Sequence, residues 1–167
     1  MRLTFAALSV LVLASCATAY QSEGLSGGFT ETQLETNVLR VSFRGNGYTR
    51  QEKAEELALL RSAELTLKNG FSHFAIIDGQ SRERSSSYTA PTQSVTRANG
   101  SISGNTFSGT ARTTTSGGQT FNISKPSTTN TIMCFAGKPD IQGLSYNAKF
   151  ICDSVGQKYG VVCGGSR

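Results

Sequence analysis

Apolar and polar residues alternate from Val38 to Arg44. Leu39, Val41 and Phe43 stand on one side of the chain, Arg40, Ser42 and Arg44 on the other. A period of two with one apolar face predicts a strand half-buried against a core. Residues 29–34 read as its partner strand, with Glu35-Thr36-Asn37 as the hairpin turn and Gly45-Asn46-Gly47 as the break that follows. The pattern then becomes helical. Residues 50–69 hold no Gly or Pro and are rich in Ala, Leu and Glu, good helix formers. Thr49 with Glu52 three positions on reads as a capping box, and Gly70 as the stop. Gln51, Glu55, Ser62 and Thr66 fall on the predicted polar side. The almost wholly apolar run His73-Phe74-Ala75-Ile76-Ile77 predicts an interior strand.

Residues 81–131 change character: 23 of these 51 are Ser or Thr, so the segment has too few large apolar side chains to build a core of its own. Threonine favours extended backbone. Residues 106–115 and 119–125 read as two strands around Ser116-Gly117-Gly118, giving an extended hairpin with frayed flanks; disorder is the other reading. Alternation returns with Ile132, Cys134 and Ala136 against Met133 and Phe135, up to Lys138-Pro139-Asp140. A last helix, capped by Ser145, carries Ala148, Ile151, Cys152, Val155 and Tyr159 on one stripe and stops at Gly160. Residues 161–163 add a short strand or pack on the sheet. The fold class is therefore α+β: a small, mainly antiparallel sheet packed by two helices. It forms one domain over 29–167, with a Ser/Thr-rich insertion at about 81–131.

Ahead of this domain, an uncharged apolar stretch from Leu3 to Leu13 follows Arg2 and runs into Leu13-Ala14-Ser15-Cys16. It is too short to span a bilayer, which takes about 20 apolar residues. A positive start, a short apolar core and a small-residue exit make a secretory signal. The Leu-Ala-Ser-Cys ending resembles the lipobox of bacterial lipoproteins, which implies that residues 1–15 are removed and Cys16 is acylated. Ala17-Thr18-Ala19 offers the alternative, ordinary cleavage that releases a chain starting at Tyr20. Residues 16–28, small and polar, read as a flexible tether of roughly 40 Å when extended. Ala17 after the cysteine, rather than Asp, points to an outer membrane facing the periplasm.

Three blocks carry a second resemblance: 27–34 (GGFTETQL), 41–49 (VSFRGNGYT) and 61–71 (RSAELTLKNGF). As a set they resemble a family of small proteobacterial lipoproteins of unknown function. The resemblance implies lipidation at Cys16 and an envelope address, and supplies no catalytic residues.

Net charge is +5, unevenly spread. Residues 81–131 carry Arg82, Arg84, Arg97, Arg112 and Lys125 against Glu83 alone. Besides a membrane reached through acyl chains, this suggests as partner an envelope protein or a polyanionic envelope component. The cations lack interleaved stacking aromatics, so nucleic acid is not expected.

Candidate chemistry is sparse. Arg61 and Glu64 sit inside the broad apolar arc of the first helix, where a charge needs a partner. They read as an i,i+3 ion pair that clamps the scaffold, with a ligand site as the alternative. His73 is the one histidine, no serine has a G-x-S-x-G setting, and no phosphate loop or C-x-x-C occurs. No enzyme, metal or cofactor is expected. After lipidation three cysteines remain in an oxidising compartment, enough for one bridge: Cys134 with Cys152, or Cys152 with Cys163. The function expected is a lipid-anchored envelope protein of structural or binding type. The alternative is a periplasmic enzyme or enzyme accessory built around Arg61 and Glu64.

Overall fold

The structure is a computed structural model of the chain and describes residues 17–164. The described residues divide into two compact units, 17–84 with 125–164, and Ser85–Ser124.

In the first unit, β1 (Gly28–Glu35) and β2 (Val38–Arg44) form the expected antiparallel hairpin. Next come α1 (Gln51–Lys68) and β3 (His73–Thr89), whose last residues lie in the second unit. The second unit holds β4 (Gln93–Ser103) and β5 (Thr106–Ser116). The chain returns through β6 (Thr120–Phe135) to β7 (Tyr146–Asn147) and α2 (Ala148–Tyr159). The sheet order is β1-β2-β6-β3-β7, with β1–β2, β2–β6 and β3–β7 antiparallel. This is the α+β class read from the sequence.

Register explains the core. Leu39, Val41 and Phe43 oppose Ile132, Asn130 and Thr128. Their common face meets Leu57, Leu60 and Ala63 of α1 and Ile151 of α2. Phe43, Phe74, Leu57 and Leu60 are fully buried, each contributing roughly 1.5–3 kcal/mol by the area it removes from water.

The two helices differ from the sequence expectation at three places. Ser62 and Thr66, assigned to the polar side of α1, are fully buried. Their hydroxyls donate back to the carbonyls of Ala58 and Ser62, at 2.8 and 2.7 Å, which makes burial affordable for a helical Ser or Thr. Thr49 does not cap α1: the N-cap is Arg50, without a side-chain bond, because the Thr49 hydroxyl is engaged elsewhere. In α2 the cap is Asn147, not Ser145; its side-chain oxygen accepts from the Phe150 N–H at 2.9 Å. Gly160 ends α2 in the left-handed region.

β3 changes phase along its length. Ile76 packs on the core, and Gly79 faces Ile76 and Asn130 on the same side. Two residues of one face three positions apart mean one extra residue, as in a β-bulge. Ile77 and Asp78 therefore both point to the face opposite the helices, followed by Gln80, Arg82 and Arg84.

In the second unit, β4 and β5 form a two-stranded hairpin with every residue exposed. The hairpin turn lies at Gly104-Asn105, not at the Gly117-Gly118 that the sequence suggests, because β5 pairs with β4 rather than with β6. Gly104 has φ +61°, and among the described residues no non-glycine, Asn105 included, has a positive φ, which is the II′ pattern with glycine first. Serine and threonine hydroxyls pair across the ribbon, Ser94 with Thr115 and Thr96 with Thr113. Arg97 stands directly opposite Arg112.

Candidate functional site

Cys16, and with it the signal reading, lies outside the described residues. The segment just after it does not behave as the tether the composition suggested. Thr18 is buried, 1% exposed. Its hydroxyl donates to the Ser26 carbonyl at 2.8 Å and accepts from the Asn46 N–H at 2.9 Å, while its own N–H donates to Thr49 Oγ1 at 3.1 Å. Ser22 bridges Phe29, Gly24 bridges Gly27, and Glu23 pairs with Arg44. Gly27 makes the fold-back possible: its φ is +94°, and a Cβ there would lie 2.2 Å from the Arg44 carbonyl oxygen. Glycine and serine, read as flexible coil, serve a turn and its caps.

Arg61 and Glu64 meet, and three further residues that the sequence does not point to, Glu31, Phe29 and Tyr20, join them. Arg61 Nη1 donates to Glu64 at 2.5 Å and Arg61 Nε to Glu31 at 2.7 Å; the guanidinium lies 4.0 Å from the Phe29 ring centre. Tyr20 donates to the same Glu64 oxygen at 2.5 Å and packs its ring 5.0 Å from Phe29. Burial alone would lower the Arg61 pKa, but the two carboxylates outweigh it and the value is raised. Burial, with the Glu64 contact, pushes the Tyr20 phenol well above its ordinary value. Both charges of the pair are spoken for within the fold: the cluster staples the N-terminal segment and β1 to α1. Its missing members were legible only through the strand parity that puts Phe29 and Glu31 on the helix side.

Of the two disulfide alternatives, Cys152–Cys163 is formed, across the Gly160 turn. Cys134 does not pair with Cys152; it is a free, buried thiol 3.4 Å from the Thr66 hydroxyl. Burial raises its pKa, which suits an inert core side chain. Residues 161–163 add no strand. His73 meets the Ser72 hydroxyl at 2.8 Å and the Asn147 amide at 3.5 Å. Among the described residues, no group of three His, Cys, Asp or Glu side chains could hold a metal, and no helix is long and apolar enough to cross a membrane.

The concave surface with the clearest character is the sheet face opposite the helices. A groove of about 780 Å³ lies there, floored by Thr30, Ser42, Ser127 and Thr129. Five cations line it: Arg40, Arg44, Arg82, Arg84 and Lys125, against Asp78 and Glu83. Strand parity places Arg40 and Arg44 beside Thr131 and Ser127. The β3 phase change adds Arg82 and Arg84 to the same face. In sequence these cations are up to 85 positions apart, from Arg40 to Lys125. The bulge that gathers them has no sequence signal beyond Gly79. Chemically the groove offers hydroxyl donors and guanidinium forks, and no nucleophile beside a base. Guanidinium groups bind planar or tetrahedral oxyanions through paired N–H donors.

Comparisons with protein-family models, with curated proteins and with solved structures find no match to this chain.

Proposed function

We propose that this chain is a lipid-anchored protein of the cell envelope, held through acylated Cys16 on the periplasmic side of an outer membrane, and that its open sheet face binds a polyanion. The protein acts by binding and carries out no catalysis. The observation that carries this reading is the groove, where five cations, Arg44 among them already paired with Glu23, face two acids over a floor of hydroxyls. The ligand class is a polymer or surface bearing phosphate or carboxylate groups.

Two points support the anchor. The first is the resemblance of Leu13–Cys16 to a lipobox and of the three sequence blocks to small proteobacterial lipoproteins. The second is Thr18. Cleavage after Ala19 would delete a buried residue whose hydroxyl holds Ser26 and Asn46; cleavage before Cys16 keeps it. The alternative of an enzyme around Arg61 and Glu64 loses ground, because Glu31, Tyr20 and Phe29 already fill the valences of that pair.

The test uses purified mature protein and long-chain inorganic polyphosphate as probe. Binding should weaken as salt rises, because counterions are released on association. It should also weaken when Arg82→Gln and Arg84→Gln are combined. Absence of binding at low salt overturns the polyanion reading. Fractionation tests the anchor: wild type should stay with membranes, and Cys16→Ser should not be acylated.

A further inference from the structure

We infer that the polyanion met by the groove is the phosphate layer of the bilayer that carries the protein, so that the anchored domain rests with its open sheet face on the membrane. This rests on the lipid-anchor and polyanion readings above, and adds which polyanion and in which orientation.

Three placements carry the inference. The first is the shortness of the link. Cys16 stands two residues before Thr18, a span of at most about 7 Å. Thr18 is buried and bonded to Ser26, Asn46 and Thr49, so almost no slack separates an acyl-bearing Cys16 from the folded domain.

The second is where Thr18 sits, which is at the end of the groove. Its hydroxyl accepts from Asn46, the neighbour of Gly45, and Gly45 and Arg44 both line the groove. A Cβ on Gly27 would touch the Arg44 carbonyl on one side and Thr18 Cγ2, at 3.1 Å, on the other. From Arg44 to Arg40 the strand covers only about 13 Å. The groove therefore begins beside the anchor, within reach of the headgroup potential, which falls off over roughly a Debye length of 8–10 Å.

The third is the company the cations keep. Ile77, 53% exposed, and half-buried Met133 lie on the same sheet face. Cations together with exposed aliphatic side chains suit the boundary between headgroups and acyl chains. A hydrated glycan would gain nothing from Ile77.

The test places a fluorophore at Thr30→Cys, an exposed position in the groove lining, on lipidated full-length protein. The protein is reconstituted in vesicles containing headgroup-quencher lipid, either zwitterionic or with a third of phosphatidylglycerol. Quenching should be strong in the anionic vesicles, weaker in zwitterionic ones, and relieved by high salt. Each of Arg40→Gln, Arg82→Gln and Lys125→Gln should lower the docked-to-undocked ratio about fivefold, the equivalent of the usual gain per cation at an anionic surface. Anchored protein without quenching at any lipid charge overturns the inference. If that protein still binds polyphosphate, the groove faces away from its own membrane and the polyanion reading stands alone. If it binds neither, both fall. Protein recovered free of the vesicles overturns the anchor itself.

Discussion

Thr18 and Thr49 are bonded to each other twice: the Thr18 N–H donates to Thr49 Oγ1 at 3.1 Å, and the Thr49 hydroxyl donates to Thr18 Oγ1 at 3.0 Å. The two residues are 31 positions apart, one just behind the predicted lipid attachment and one at the foot of α1. Their contact turns the segment 17–28 from a leash into part of the fold. It also explains why Thr49 is not a helix cap.

Replacing Thr18 by Val keeps the volume and removes the hydroxyl. The Asn46 N–H then keeps only its longer bond to Thr49 Oγ1, at 3.3 Å, and the Ser26 carbonyl loses the Thr18 hydroxyl as donor, which should cost about 1–3 kcal/mol in chemical denaturation. Ala19→Ser, at an exposed neighbour, should change stability by less than about 0.5 kcal/mol. Equal effects at the two positions would mean that the segment is loose in solution.

Arg61 and Glu64 should behave as a coupled pair. Their side chains are 12% and 16% exposed, short of full burial, so removing one partner should cost less than the roughly 3–5 kcal/mol of a fully buried pair, about 2 kcal/mol. Arg61→Met combined with Glu64→Leu should cost clearly less than the sum of the single changes, since the stranded charge disappears with its partner. Tyr20 and Glu31 lose a bond in these variants too, so the double change keeps a residual cost. Strict additivity would place both side chains in solvent.

Strand alternation made β2 and its buried face readable, because a half-buried strand writes its environment directly into residue parity. Ser62 and Thr66 defeated the same logic in α1: a hydroxyl that bonds its own helix backbone is polar in composition and apolar in effect. The cationic groove was half legible. Arg40 and Arg44 lie on the readable strand, but Arg82 and Arg84 join them only through the extra residue in β3. The N-terminal fold-back was illegible for another reason. Glycine and serine look alike whether they serve a free coil or a tight turn, and only the Arg44 carbonyl pressed against Gly27 distinguishes the two.

Tyr20 should make the fold sensitive to alkali. Burial and the Glu64 contact hold its phenol neutral above the ordinary value of about 10. With the folded pKa raised, the contribution is complete below pH about 10. It is lost as pH rises further, because the unfolded chain then releases a proton that the folded one keeps. Tyr159 shifts in the same direction, so the comparison needed is wild type against Tyr20→Phe. The stability advantage of wild type should be flat at neutral pH and shrink by about 1.4 kcal/mol per pH unit above 10. Parallel curves would show that the phenol titrates normally.

The unit Ser85–Ser124 should be removable without unfolding the first unit. Every residue of β4 and β5 is exposed, and the core of the first unit draws none of its side chains from the insertion. The join is short as well. Ser127 Oγ reaches the Arg82 carbonyl at 3.3 Å, so β3 and β6 run side by side where the chain leaves and returns. A Gly/Ser linker of about five residues from Arg84 to Lys125 can close neighbouring strands about 4.8 Å apart. Shortening 40 residues to five is three halvings of the loop, which favours folding by up to about 2 kcal/mol if the segment is mobile. The shortened protein should therefore unfold cooperatively in denaturant, at a midpoint equal to or above that of wild type. It should also keep its affinity for polyphosphate, since Arg40, Arg44, Arg82, Arg84 and Lys125 all remain. Loss of the cooperative transition would make the Ser/Thr-rich segment part of the folding unit. A folded variant that no longer binds would move the polyanion contact from the groove to the hairpin, where Arg97 faces Arg112.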